Sequence, residues 1–264
     1  DDYVQEEQLS IISGNKVVLD LRGYTLTTDG YHRLFLLYGY LAVMDSVGGG
    51  RFSAKTSGAG YGGIVMVSTN ETNDPTFELH GGTIMPAPES KGAKRGGLIF
   101  LAESATFRMT GGRVMGGSTV TPSGDASPGG NICAYYESAR IEILGGEVIG
   151  GTGTSHGGNI YSKGTTILKN CTITGGRTDF SGGNICQVGG SLTAENCTFS
   201  HGIAHHPSSN GGGNIALLST RAATFNNCII ENGYAANFGG NLLATSGSLH
   251  IEDTRFTSGT AGRG

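Results

Sequence analysis

The sequence predicts an all-β chain, a single-stranded right-handed parallel β-helix (solenoid) with three short strands per coil and about 8–9 coils. Three observations carry that prediction. The tetrapeptide GGNI stands at 129–132, 157–160, 182–185 and 212–215, with GGNL at 239–242. Between these copies lie segments that align without gaps and alternate apolar and polar residues. Gly is also abundant: 48 of the 264 residues, far above the ~7% of an average chain, yet without the every-third spacing of collagen.

The repeat sets the first element, a corner. Gly62-Gly63-Ile64 and Gly96-Gly97-Leu98 precede the five Gly-Gly-Asn copies. Counted by the second Gly, the steps are 34, 33, 28, 25, 30 and 27 residues. A solenoid whose coils turn at one place repeats the turn residues at such intervals. Asn131, Asn159, Asn184, Asn214 and Asn241 then form a column, and stacked Asn side chains hydrogen-bond along the axis and satisfy corner backbone groups. Its expected role is structural.

The strands come next. The second half of each repeat reads TFELHGGTIM (76–85), TFRMTGGRVM (106–115), RIEILGGEVI (140–149), TTILKNCTIT (165–174), SLTAENCTFS (191–200), AATFNNCIIE (222–231) and SLHIEDTRFT (248–257). Period two on either side of a central pair means two strands, each with one face buried. Phe77, Phe107, Ile141, Leu192, Phe225 and Leu249 are the expected inward residues. The first residue of the central pair is Gly81, Gly111, Gly145, Asn170, Asn196, Asn227 or Asp253; these residue types tolerate a left-handed backbone, so this residue is expected to make the bend. With a strand after each Gly-Gly-Asn, a coil has three strands and three corners. The handedness follows from the rule for parallel crossovers. NKVVLDLRGYTLTTD (15–29) and YLAVMDSVGGGRFSA (40–54) read as opening coils, so residues 15–264 form the solenoid and 1–14 an N-terminal cap segment.

Two family resemblances follow from these letters. The GGNI copies and TFNNC (224–228) resemble the GGA[ILV] and FxxN repeats of the polymorphic outer membrane protein family over residues ~60–260. They differ in placing Asn where that family has Ala, and no membrane-barrel segment lies within the 264 residues. VVLDLRGYTLT and LAVMDSVGGGRF are similar to the first coils of pectate-lyase-like surface proteins. Both resemblances imply a parallel β-helix that is secreted or surface-displayed, and neither carries a catalytic residue onto this chain.

Composition narrows the function. The net charge is −4 with no Lys/Arg run, which argues against a nucleic-acid partner. No apolar stretch approaches ~18 residues, so no membrane insertion is expected. The chain opens on Asp1, as a mature secreted product or a piece of a longer protein does. The carboxylates are scattered: Asp45, Glu71, Asp74, Glu78, Glu103, Asp125, Glu137, Glu142 and Glu147. Hydrolases of polysaccharides need paired carboxylates and lyases need a base beside calcium-holding carboxylates; no such signature is present. Glu78, Glu142 and Glu252 fall near equivalent strand positions, read as a solvated column. No catalytic residue, cofactor or metal site is assigned. His201, His205 and His206 read as a polar loop, since zinc and copper need further ligands at fixed geometry.

Cys171, Cys197 and Cys228 share one slot after the bend and would stack ~4.8 Å apart on adjacent coils. A disulfide is within reach of that spacing, but inward thiols packed as small hydrophobes are the favoured reading. Cys133 and Cys186 share another slot with Tyr161 between them. Three sequons, Asn70-Glu-Thr, Asn170-Cys-Thr and Asn196-Cys-Thr, make Asn70, Asn170 and Asn196 glycosylation candidates in a secreted eukaryotic protein.

The expected function is a secreted or cell-surface structural or adhesive β-helix that assembles end to end into a filament. A carbohydrate-active or glycan-binding β-helix is the alternative. The expected partners are a further copy joined end to end, or a continuation of a longer chain, and surface glycans. The variable loops 117–128, 151–156, 177–181, 202–210 and 233–238 leave one edge and form the expected contact surface.

Overall fold

The computed structural model describes residues 2–28, 30–56, 58, 60–69, 74–120, 127–208 and 211–263. All regular structure in them is β, and every strand pair is parallel between successive coils, giving a solenoid of about nine turns. Sheet A has ten strands, from Tyr3–Gln5 to Arg255–Thr257. Sheet B has nine, from Leu9–Ile11 to Leu242–Ala244, and sheet C has nine, from Lys16–Asp20 to Ser248–Glu252. One coil shows the order: Ile185–Val188 in sheet B, Ser191–Glu195 in sheet C, then Thr198–Ser200 in sheet A.

A fourth sheet, D, escaped the sequence reading. It has five strands: Thr152–Gly153, Arg177–Thr178, Ile203–Ala204, Tyr234–Ala235 and Thr260–Ala261. Each follows a sheet A strand, and the first four lie before the next Gly-Gly, at the root of the variable loops. A strand of two residues is too short to show alternation.

The segment expected as a separate cap is built differently. Tyr3–Gln5 pairs with Thr25–Thr28 and Leu9–Ile11 with Phe35–Leu37. Residues 3–11 are therefore already the first rung of sheets A and B.

The gap-free alignment is the physical register. In sheet C, Phe77 pairs with Phe107, Phe107 with Ile141, Ile141 with Thr166, Thr166 with Leu192, Leu192 with Ala223 and Ala223 with Leu249. Phe77, Phe107, Ile141, Leu192 and Phe225 are buried in one continuous core. Rings stack along it, Phe77 on Phe107 at 5.4 Å and Phe199 edge-on to Phe225 at 6.2 Å. Leu249 is the exception at 41% exposed, because its strand is the last rung and only one side of it is covered.

The bend differs from expectation in three of the seven aligned coils. Where the central pair is Gly-Gly, the left-handed residue is the second: φ is 81° at Gly82, 84° at Gly112 and 91° at Gly146. Where the pair begins with Asn or Asp it is the first, with φ of 49° at Asn170, 55° at Asn196, 50° at Asn227 and 48° at Asp253. Cys or Thr in the second position carries a Cβ that resists positive φ, so the left-handed turn moves one residue back onto Asn or Asp.

Phe225→Ala removes a fully buried ring and should destabilise the fold by roughly 3–5 kcal/mol. Leu249→Ala, on the open last rung, should cost well under half of that. Chemical denaturation of both variants measures the difference, and equal losses would contradict the placement of the core.

Candidate functional site

The Gly-Gly-Asn corner carries a continuous polar ladder. Asn131 donates through Nδ2 to Oδ1 of Asn159 at 2.8 Å, Asn159 to Asn184 at 2.8 Å, Asn184 to Asn214 at 2.8 Å and Asn214 to Asn241 at 2.9 Å. Each Nδ2 also donates to a carbonyl at the end of a sheet A strand: Ile149, Thr174, Ser200, Glu231 and Thr257. Each Oδ1 accepts a backbone N–H, from Gly117, Gly151, Gly176, Gly202 and Gly233. Asn159, Asn184 and Asn214 therefore use both donors and accept two hydrogen bonds while buried, which satisfies an amide side chain completely. The two glycines before each Asn are there for space. At Gly183 a Cβ would overlap the Ile203 nitrogen and the Gly213 carbonyl oxygen of the next coil, and Gly182 turns with φ of 71°.

Asn184→Ala should strand four partners of the amide in a dry corner. Each buried unsatisfied polar group costs ~1–3 kcal/mol, so the loss should exceed that of an average core truncation. Thermal unfolding of the variant reads it; a change within experimental scatter would refute the corner's role.

The cysteines divide by face. Cys171, Cys197 and Cys228 are buried free thiols facing the core, with the Sγ atoms of Cys171 and Cys197 3.4 Å apart. The contact with Cys171, together with burial, pushes the Cys197 thiol up to about 12. Cys133 and Cys186 flank Tyr161 in register on the outer face of sheet B, beneath the loops, with Phe100 and Ala216. Burial pushes both thiols strongly upward, and all five Cys are buried free thiols.

The bend column faces outward. Asn170, Asn196 and Asn227 are exposed, and their side chains form a second ladder: Asn196 Nδ2 to Asn170 Oδ1 at 3.2 Å and Asn227 Nδ2 to Asn196 Oδ1 at 2.7 Å. Asn70, with Glu71, lies outside the described residues, as does Asp125.

On the outer face of sheet C, Arg108 sits between Glu78 and Glu142 in register. Arg108 Nε donates to Glu142 at 2.7 Å, Tyr40 donates to Glu78 at 2.9 Å and His80 Nε2 lies 3.0 Å from Glu78. Arg140 also donates to Glu142. Burial pushes the Glu142 carboxyl up, but the hydrogen bonds from Arg140 and Arg108 outweigh it and hold it below its ordinary range. This is an interlocked ion network, not the solvated column expected, and Glu252 is not in it. Glu252 pairs with Asn226, while His250 takes the rung of Glu78 and Glu142. The spacing of Glu78, Arg108 and Glu142, third in each aligned strand, was the available signal.

The loop edge carries the second feature missed in the sequence, a file of rings and cations over sheet B. Tyr61 stacks on Phe100 at 5.0 Å, and Tyr135 meets Tyr136 at 5.7 Å and Tyr161 at 6.3 Å. Arg95 lies 3.9 Å from the Tyr135 ring centre and Lys163 4.1 Å from it. Further along, His156 meets Phe180 at 5.6 Å and Phe180 stacks on His206 at 5.2 Å. Phe180, His206, Tyr136 and Phe238 are exposed. Of the loop histidines, His206 thus stacks on a ring, and His205 lies 3.5 Å from Arg177. Among the described residues no three His, Cys, Asp or Glu side chains converge as metal ligands would. Phe100 and Tyr161 stand in sheet B strands, whereas Tyr61, Phe180 and His206 come from separate loops of unequal length, which hides their alignment in the sequence.

No family model matches the chain, and neither the curated proteins nor the solved structures give a match. The class is that of a parallel β-solenoid, defined by the chain's own geometry.

Proposed function

We propose that this chain is a secreted or surface-displayed structural element, a non-enzymatic β-helix that joins end to end and makes its contacts through the loop edge. The two tips carry this reading. At one tip the first strands of sheets A, B and C leave Tyr3, Val4, Leu9 and Val18 exposed, and Tyr3 and Leu9 line an apolar cavity of about 380 Å³. At the other, the last strands leave Leu249, Ile251 and Phe256 exposed beside a recess of about 600 Å³. Unpaired strands with apolar side chains are templates for further pairing. All three sheets are parallel, so the last rung of one copy offers the first rung of the next the same geometry that stacks coils within the chain. A head-to-tail contact that does not close makes a filament. The resemblance to polymorphic outer membrane protein repeats and to pectate-lyase-like surface proteins supports the same location and the same scaffold role. The carboxylates best placed for chemistry, Glu78 and Glu142, are held by Tyr40, His80, Arg108 and Arg140, which favours the non-enzymatic reading.

Electron microscopy and sedimentation of the untagged protein should show rods longer than one copy. Ile251→Lys, which places a charge on the open rung, should leave folded single copies. A wild-type protein that stays a monodisperse monomer at high concentration would defeat the assembly.

A glycan-binding surface is the second reading, favoured by the exposed rings of Tyr136, Phe180 and Phe238 along one edge, since aromatic faces with polar neighbours suit sugar rings. Glycosylation of the chain itself is a separate proposal. The outward bend leaves Asn170 and Asn196 accessible at their sequons, with Asn70 the third candidate. Intact mass from a eukaryotic secretory host, before and after a glycosidase, should fall by whole glycan units. An unmodified mass would rule the modification out.

A further inference from the structure

A small cavity of about 200 Å³ opens on the loop edge near the N-terminal coils. It is lined by Gln8, Tyr31, His32, Arg33 and Thr56, with backbone from the glycines at 60, 62, 63 and 92. Arg33 is the unusual member. It precedes Leu34 and Phe35, which are buried in the core, so its side chain is anchored at the cavity wall and half-buried. A guanidinium has five N–H donors. The hydrogen bond it makes here is from Nη1 to the Met66 thioether at 3.3 Å, a weak acceptor. Among the described residues no carboxylate pairs with it. Lys55 pairs with Glu89 at 3.3 Å.

The neighbouring cations point the same way. Lys91 stands 4.9 Å from the Tyr31 ring centre, and Arg95 lies over Tyr61 at 5.4 Å and Tyr135 at 3.9 Å. Neither is paired with a carboxylate among the described residues. Arg33 thus lines a concave, glycine-walled space and Lys91 stands over the Tyr31 ring of its wall, in a chain whose net charge is −4. Withdrawal from water lowers the pKa of Arg33, so its charge lacks the compensation that buried charges normally have.

We propose that this cavity is an anion site, in which the Arg33 guanidinium binds a carboxylate or phosphate group and Lys91 adds long-range attraction. A guanidinium fork matches both oxyanions in a two-point contact. A water occupies about 30 Å³ of liquid volume, so the space admits the anionic group with a small substituent. The proposal is independent of the end-to-end assembly.

Calorimetric titration with inorganic phosphate and, separately, with acetate distinguishes the two anions. At least one should bind saturably, with a Kd on the order of 1 mM, about −4 kcal/mol. Arg33→Met should weaken that binding at least roughly tenfold, while Arg177→Met, on the same edge, should leave it unchanged. Should Arg33→Met fail to fold, phenylglyoxal labelling of the wild-type protein decides the matter: the bound anion should protect Arg33 and spare Arg177. Absence of saturable binding by both anions, equal binding by Arg33→Met, or labelling of Arg33 that neither anion slows would each overturn the site.

Discussion

From Gly62 onward, each coil passes its neighbour at one buried corner, and the backbone there comes too close for a Cβ. That constraint governs the rest of the solenoid. Two glycines bring the chain through, and an Asn side chain then bridges the groups the corner would leave bare. Its Oδ1 takes the N–H of Gly151, Gly176, Gly202 or Gly233. Each of these glycines immediately precedes a strand of sheet D, so the Asn fixes where that strand begins. The coils that carry Ile64 or Leu98 in the Asn position fill the corner with a buried apolar side chain instead. Sheet D begins only at Thr152, once the ladder is running. The fourth sheet thus runs alongside the amide ladder, although its last strand, Thr260–Ala261, follows a glycine that no Asn among the described residues holds.

What was legible in the sequence follows from this division. Period-two alternation and the Gly-Gly-Asn spacing report burial and backbone approach, both of which recur coil after coil. They gave the three long sheets, the gap-free register and the Asn column. Features that depend on a one-residue detail were less visible. The shift of the left-handed bend from Gly146 to Asn170 turns on whether Gly or Cys follows, and the displacement of Glu252 turns on counting two residues along one strand. The loop-edge file of Tyr61, Arg95, Tyr135, Phe180 and His206 was illegible for another reason. Loops of unequal length carry no common register, and only the folded coils bring those side chains into line.

The two faces of the strands also explain why identical residue types behave differently. Cys171, Cys197 and Cys228 follow the bend and point into the core, where a thiol serves as a small apolar filler. Cys133 and Cys186 stand on the outer face of sheet B, yet they are just as buried, because the loops fold back over them. The solenoid therefore has a second, thinner apolar layer outside its core. That layer roots the loop edge: Phe100 and Tyr161 pack inward on it while Tyr135 and Arg95 face the rim.

A scaffold built this way separates stability from contact. Each rung of the ladder and each core ring touches only its immediate neighbours, as in other one-dimensional repeats, so the corner and the strand interiors are constrained while the loops between sheets A and B are not. Loop length can vary from coil to coil without disturbing the register, since from Gly117 to Gly233 each loop begins at a glycine held by one Asn and ends at the Gly-Gly preceding the next. The edge can then present rings, cations or an open cavity at chosen coils, and the fixed rise of the sheets sets their spacing. The cation-rich cavity at Arg33 and the ring file at Phe180 lie on this same edge, where the fold leaves side-chain identity free.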